Sequence, residues 1–271
     1  MERIKIMRRD IKFTNPIEIQ KRKQLQSLFA DWKKHISGKP NIVFKDDGKE
    51  YAAIDYFNSD GFYPGYFLQK RKVLFIGRES REASGCDRVE SDIKFLKTFS
   101  ANSSAYWRRI LYIIEGIKQK GKVKYNDLPY ADEILDKMFA ENNFGYAFMN
   151  ISKYSNDSVT GGTADFDLIN RFLTDCDLDK RNFLREELKL LDPDVIITSN
   201  IWGGKINDSL LSKVFPKDDL KYDSKKSTGS VSAVHDFNLD GKHIPLIDLY
   251  HFSSPGSDKD GYYDPVMKGI F

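Results

Sequence analysis

A chain of 271 residues with 40% apolar and 31% charged side chains is long enough to bury one large core, and a second domain is not required. No apolar run nears the roughly 20 residues of a membrane helix and the first residues lack a signal-peptide pattern, so a cytoplasmic protein without membrane contact is expected. Two cysteines, Cys86 and Cys176, are too few for a disulfide framework, and no Cys/His spacing suits zinc or an iron–sulfur cluster; a monomer without metal or cofactor is expected.

The net charge of +3 is small but unevenly spread: residues 1–40 hold 11 Lys/Arg against 4 Asp/Glu, and residues 125–194 hold 7 against 15. A basic end can attract a phosphate backbone, and it can equally be the solvated face of an amphipathic helix.

In chain order, Ile17, Ile19, Leu25, Leu28, Phe29 and Trp32 recur at mostly helical spacing, and Gly38 and Pro40 close a docking helix over about 16–35. Residues 41–68 are aromatic and Gly-rich, with turn signals at Asp46-Asp-Gly48, Ser59-Asp-Gly61 and Pro64-Gly65, and predict a short hairpin or ordered loop. Together these form an N-terminal helical and aromatic-rich extension at about 1–69 of a single domain spanning 1–271. A buried strand then runs from Arg71 to Gly77. Residues 90–118 read as one helix and 130–140 as another, followed by a strand over 143–152. Residues 168–191 carry helical spacing, strongest over 182–191, and stop before Pro193. A third strand covers 193–199, a helix lies near 205–215, and a polar looped or hairpin stretch fills 216–243. The last strand ends near His251, and a C-terminal helix covers about 265–271. Strands alternating with helices predict βαβ crossovers, hence an α/β fold: a three-layer α/β/α sandwich around a central four-stranded parallel sheet.

Each of the four strands ends on small or polar residues: Gly77-Arg-Glu-Ser80, Asn150-Ile-Ser-Lys153, Thr198-Ser-Asn200 and His251-Phe-Ser-Ser254. Ligand crevices of open α/β sheets lie beyond the carboxyl ends of the strands, so Glu79, Asn150 and His251 are candidates to meet there. Taken singly, a strand-end Asn makes turns and a lone His is often structural. Other motifs carry less. Gly161-Gly162-Thr163 lacks any phosphate-loop frame and reads as a turn. Ser253 and Ser254 beside His251 lack a nucleophile elbow. Trp107, Arg108 and Arg109 read as a core Trp flanked by solvated arginines, although contact with nucleic acid is the alternative. His35, His235 and His243 show no metal spacing.

Taken in order, these segments resemble the uracil-DNA glycosylase superfamily. Gly77-Arg-Glu-Ser80 stands in place of its first motif, with Ser80 where the family carries proline. Phe148-Met-Asn-Ile-Ser-Lys153 is similar to its N-V-x-K segment, and Leu184-Arg-Glu-Glu-Leu-Lys-Leu-Leu-Asp-Pro193 to its L-x-x-E-L-x-x-L-x-P helix. His251-Phe-Ser253 is similar to its final H-P-S, with Phe252 in place of proline, and Gly261-Tyr-Tyr263 follows. The likeness spans roughly residues 70–271. It implies a base-excising DNA glycosylase acting on uracil or a related deaminated base. In the roles it implies, Glu79 stabilises the sugar cation or orients water. His251 hydrogen-bonds the base as charge develops, and Asn150 reads its edge. Gly77, Arg78, Ser80 and Ser253 line the binding site. Ser254-Pro-Gly-Ser-Asp-Lys259 lacks the apolar tip such enzymes wedge into a duplex. The expected partner is single- or double-stranded DNA or a free nucleotide. Two alternatives stand: a superfamily member that binds nucleic acid or a nucleotide without cleaving it, and an unrelated flavodoxin-like nucleotide-binding protein. Glu79 directed into a basic crevice favours cleavage; Glu79 paired away with Arg78 or Arg81 favours binding alone.

Overall fold

The computed structural model describes residues 8–39, 43–46, 49–81, 85–156, 164–203, 205–228 and 231–271. Helix α1 (Pro16–Ser37) starts where the Asn15 side chain caps two backbone N–H groups. The hairpin β1 (Val43–Asp46) and β2 (Lys49–Ala52) and the short strand β3 (Gly61–Phe62) follow. The second half of the turn signal Asp46-Asp-Gly48 lies outside the described residues. Next come β4 (Val73–Gly77), β5 (Ser80–Arg81), α2 (Arg88–Leu96), α3 (Ala105–Lys118) and α4 (Ala131–Glu141). The expected single helix over 90–118 is thus two. Ser104 caps the N-terminus of α3 through its hydroxyl, and a short 3-10 turn at Ala101–Ser103 separates it from α2. Then β6 (Tyr146–Asn150), β7 (Ser155–Asn156), α5 (Phe166–Asp175), α6 (Phe183–Leu191), β8 (Val195–Ser199) and α7 (Asp208–Val214) complete the middle of the chain. The polar stretch after it forms β9 (Leu220–Tyr222) and β10 (Ser232–Leu239), and β11 (Lys242–Leu249) and α8 (Asp264–Ile270) end the fold.

The central sheet has seven strands in the order β3–β6–β4–β8–β11–β10–β9. Its middle four, β6, β4, β8 and β11, are mutually parallel; β3, β10 and β9 add antiparallel edges. The sheet is therefore larger than the expected four strands. The hairpin offered for 216–243 forms as β9 and β10 and extends the sheet beyond β11, and β3 is too short to register as a strand. Side chains alternate between two cores: Val73 and Phe75 of β4 face one, Leu74 and Ile76 the other. Helices α2, α3, α4 and α8 cover the first face, and α1, α5, α6 and α7 the second. Burial on both faces accounts for the unbroken apolar runs of β4 and β8.

The segment read as an extension is built into this core. Leu25, Leu28, Phe29, Trp32 and Ile36 of α1 are buried against α6 and the sheet, and β3 forms one sheet edge. Its basic charge is partly spent internally: Arg8 pairs with Asp136, and Arg22 with Asp87 and Glu90. Among the described residues, no helix is long and apolar enough to cross a membrane.

Candidate active site

From β4 the chain crosses to β6 over one face of the sheet, then returns past β4 to β8 over the other. Connections diverging in this way leave a crevice beyond the carboxyl ends of the strands. A cavity of about 630 Å³ opens there. Gly77, Arg78, Glu79, Asn150, His251 and Ser253 all line it. Ser80 does not: it is buried behind the wall, where its hydroxyl accepts from Asn150 Nδ2 at 3.0 Å. The expectation that Ser80 contacts a ligand is corrected accordingly, because β5 pairs with β7 and turns its side chain inward.

Gly77 and Asn150 are paired neighbours on β4 and β6. A Cβ at position 77 would fall 2.5 Å from Asn150 Oδ1 and 3.0 Å from Phe148 Cζ, so glycine is required for space. The backbone N–H of Asn150 donates to Asp60 Oδ2 at 2.6 Å, while its Oδ1 is buried without a partner. Asp60 is held in turn by Lys153 Nζ at 2.6 Å, which also meets Glu187 at 2.8 Å; all three side chains are shut off from solvent. The two carboxylates keep Lys153 protonated, whereas burial and the nearby Asp60 push the Glu187 carboxyl up.

Glu79 uses one oxygen for anchorage. Its Oε1 accepts from Asn156 Nδ2 and from the backbone N–H of Asp165, both at 3.0 Å, and its Oε2 is buried and unbonded among the described residues. Burial outweighs these two donors and pushes its pKa up to about 7. Arg78 does not pair with it. Its Nε and Nη2 donate to the carbonyl oxygens of Asn200 and Gly203, each at 2.8 Å, and its guanidinium lies over the Phe166 ring.

His251 sits in the turn after β11. Its Nδ1 accepts the backbone N–H of Ser253 at 3.2 Å, which assigns the proton of the neutral ring to Nε2. Burial and the charge of Arg78 lower its pKa, so the neutral form prevails at pH 7. Phe252, in the place of the resemblance's proline, is fully buried against Phe75, Tyr106 and Tyr262; burial fixes the turn where a ring constraint would.

Arg109 is 3% exposed and is not a solvated flank to a core Trp. It donates to the carbonyl oxygens of Phe252, Ser254 and Gly256 at 2.6–2.9 Å, pairs with Asp258 and stacks 3.9 Å from the Tyr262 ring centroid. The Tyr262 hydroxyl donates to the His251 carbonyl at 2.9 Å.

Further residues complete the wall. Arg88 and Tyr106 carried no local signal; Asn200 did, since it follows a strand as Asn150 ends one. Asn200 adopts φ 58°, a conformation Asn tolerates, and Gly203 leaves room for its side chain. Asp248, behind Arg78, has its pKa pushed up to about 6 by burial. The Gly161-Gly162-Thr163 turn lies outside the described residues. Among those described, no group of three His, Cys, Asp or Glu side chains is placed to hold a metal. No protein-family model and no curated protein matches the chain.

Proposed function

We propose that this protein is a DNA base-excision glycosylase, a divergent relative of the uracil-DNA glycosylases, that hydrolyses the N-glycosidic bond of uracil or a related deaminated base. The observation that carries this reading is the convergence of Glu79, Asn150 and His251, from the ends of three parallel strands, on one cavity that Arg78, Arg81 and Arg88 also line. The order of the four central parallel strands and the crevice at their carboxyl ends support the likeness in fold. The guanidinium groups of Arg78 and Arg81 suit a phosphate-bearing substrate.

Asn150 presents Oδ1 to an N–H of an extruded base. As the C1′–N bond lengthens, His251 Nε2–H donates to a base acceptor on which negative charge grows, and a neutral donor costs no protonation step. The ionised Glu79 carboxylate faces the oxocarbenium-like sugar and takes a proton from the water that attacks C1′. Cytosine, which lacks the ring N–H beside its carbonyl, leaves the buried Oδ1 unpaired and is rejected.

The test is incubation with single- and double-stranded oligonucleotides carrying a deaminated base, followed by alkaline cleavage at abasic sites. Strand breaks are expected with the native chain and none with Glu79→Gln or Asn150→Ala. Equal cleavage by both variants contradicts the assigned roles, and tight binding without breakage replaces catalysis by a binding role.

A further inference from the structure

Arg88 takes no part in the chemistry assigned to Glu79, Asn150 and His251, yet it lines their cavity and its position is fixed from behind. Its Nε donates to Asp92 Oδ1 at 2.7 Å, and the Tyr63 hydroxyl donates to the other Asp92 oxygen at 2.6 Å. Its Nη1 lies 3.4 Å from Ser80 Oγ, the oxygen that also receives Asn150 Nδ2 at 3.0 Å. The guanidinium stands 5.9 Å from the Phe148 ring centroid, and Phe148 is itself part of the cavity wall. Among the described residues, Nη2 has no hydrogen-bond partner. The cavity therefore offers a buried acceptor, Asn150 Oδ1, next to a charged donor fork, with a single serine oxygen between the two side chains.

We infer that the base this cavity takes is a 6-oxopurine, the product of purine deamination, with Arg88 donating to O6 and N7 while Asn150 Oδ1 accepts from N1–H. The inference rests on the reading of the cavity as a base-binding site. Along the edge of such a purine, N1–H, O6 and N7 follow one another, matching one acceptor and two donors. Arginine reads guanine through this same O6/N7 pair. Uracil supplies N3–H and O4, but its C5–H then faces the second guanidinium N–H, which stays desolvated and unpaired. A cavity of about 630 Å³ accommodates two fused rings as readily as one.

Two measurements on the full chain test this. Calorimetric titration with free hypoxanthine and free uracil is expected to show about tenfold or tighter binding of hypoxanthine. Initial rates of base release from single-stranded oligonucleotides holding one deoxyinosine or one deoxyuridine are expected to favour inosine by a similar factor. Arg88→Lys keeps a cation opposite Asp92 but lacks the fork, and it should bring both ratios toward one, as should Arg88→Met. Uracil bound as tightly as hypoxanthine, or ratios unchanged in the folded lysine variant, overturns the inference. Arg88-dependent preference for hypoxanthine with no base released from either strand would sink the glycosylase reading and leave this one standing.

Discussion

Glu79 must be ionised to act as a base, yet burial favours its protonated form, and the two demands produce opposite pH trends. Activity is expected to climb with an apparent pKa near 7, a profile obtained from initial rates between pH 5 and 9, and to be flat if Glu79 is a bystander. For stability the sign reverses. The folded carboxyl holds its proton more tightly than the unfolded one, so this stabilisation is complete below pH 4.5 and lost as pH rises through about 7. Relative to the native chain, Glu79→Gln should gain about 3 kcal/mol between pH 4.5 and 8, measured by urea denaturation at both pH values. Gly77→Ala pushes a methyl against Asn150 and Phe148 and should cost about 1–3 kcal/mol together with most base binding. A full-strength titration signal with that variant would contradict the close packing. The positions of Glu79, Asn150 and His251 were legible because strand ends are marked by apolar runs giving way to polar residues. Arg88 was not, since its role depends on Asp92 and Tyr63, neighbours brought together only by folding.

The turn after β11 is held as one element by Arg109, whose guanidinium satisfies three carbonyls and Asp258 at once. Arg109→Ala leaves the three carbonyls unpaired, with Asp258 held only by Arg108, and should lower stability by about 2–4 kcal/mol. Hydrogen exchange should then show residues 251–258 opening faster than the sheet; unchanged protection there would show that Phe252 suffices to hold the turn. Sequence could not tell a buried arginine from a solvated one, because either can follow a core tryptophan on α3. The same holds for α2 and α3, whose apolar spacing runs on across the break and whose separation is decided by the Ser104 cap. Helices such as α6 were readable end to end, since Pro193 and the capping Asn182 bracket a single apolar stripe.

At the scale of the molecule, the core under α1 and α6 shares a buried junction with the site: Lys153, between Asp60 and Glu187, links the β6 end that carries Asn150 to α6 and lies over the rings of Phe29 and Trp32 of α1. Lys153→Met strands two buried carboxyls and should cost about 3–5 kcal/mol, read from thermal or urea unfolding, with unfolding of α1 and the sheet remaining coincident. Alternation of strand and helix was enough to anticipate a layered α/β molecule. The hairpin within 216–243 was one of two readings, because β10 alternates as a half-exposed strand or loop would; that it joins the sheet, and that the two-residue β3 does, was not legible. The claim on which everything else depends is that Glu79, Asn150 and His251 surround one nucleobase. A crystal structure of the protein with a free deaminated base tests it most directly. The account predicts the ring beside Gly77, its N–H on Asn150 Oδ1 and an acceptor on His251 Nε2; a ring bound elsewhere, with this cavity empty at saturating base, would contradict it.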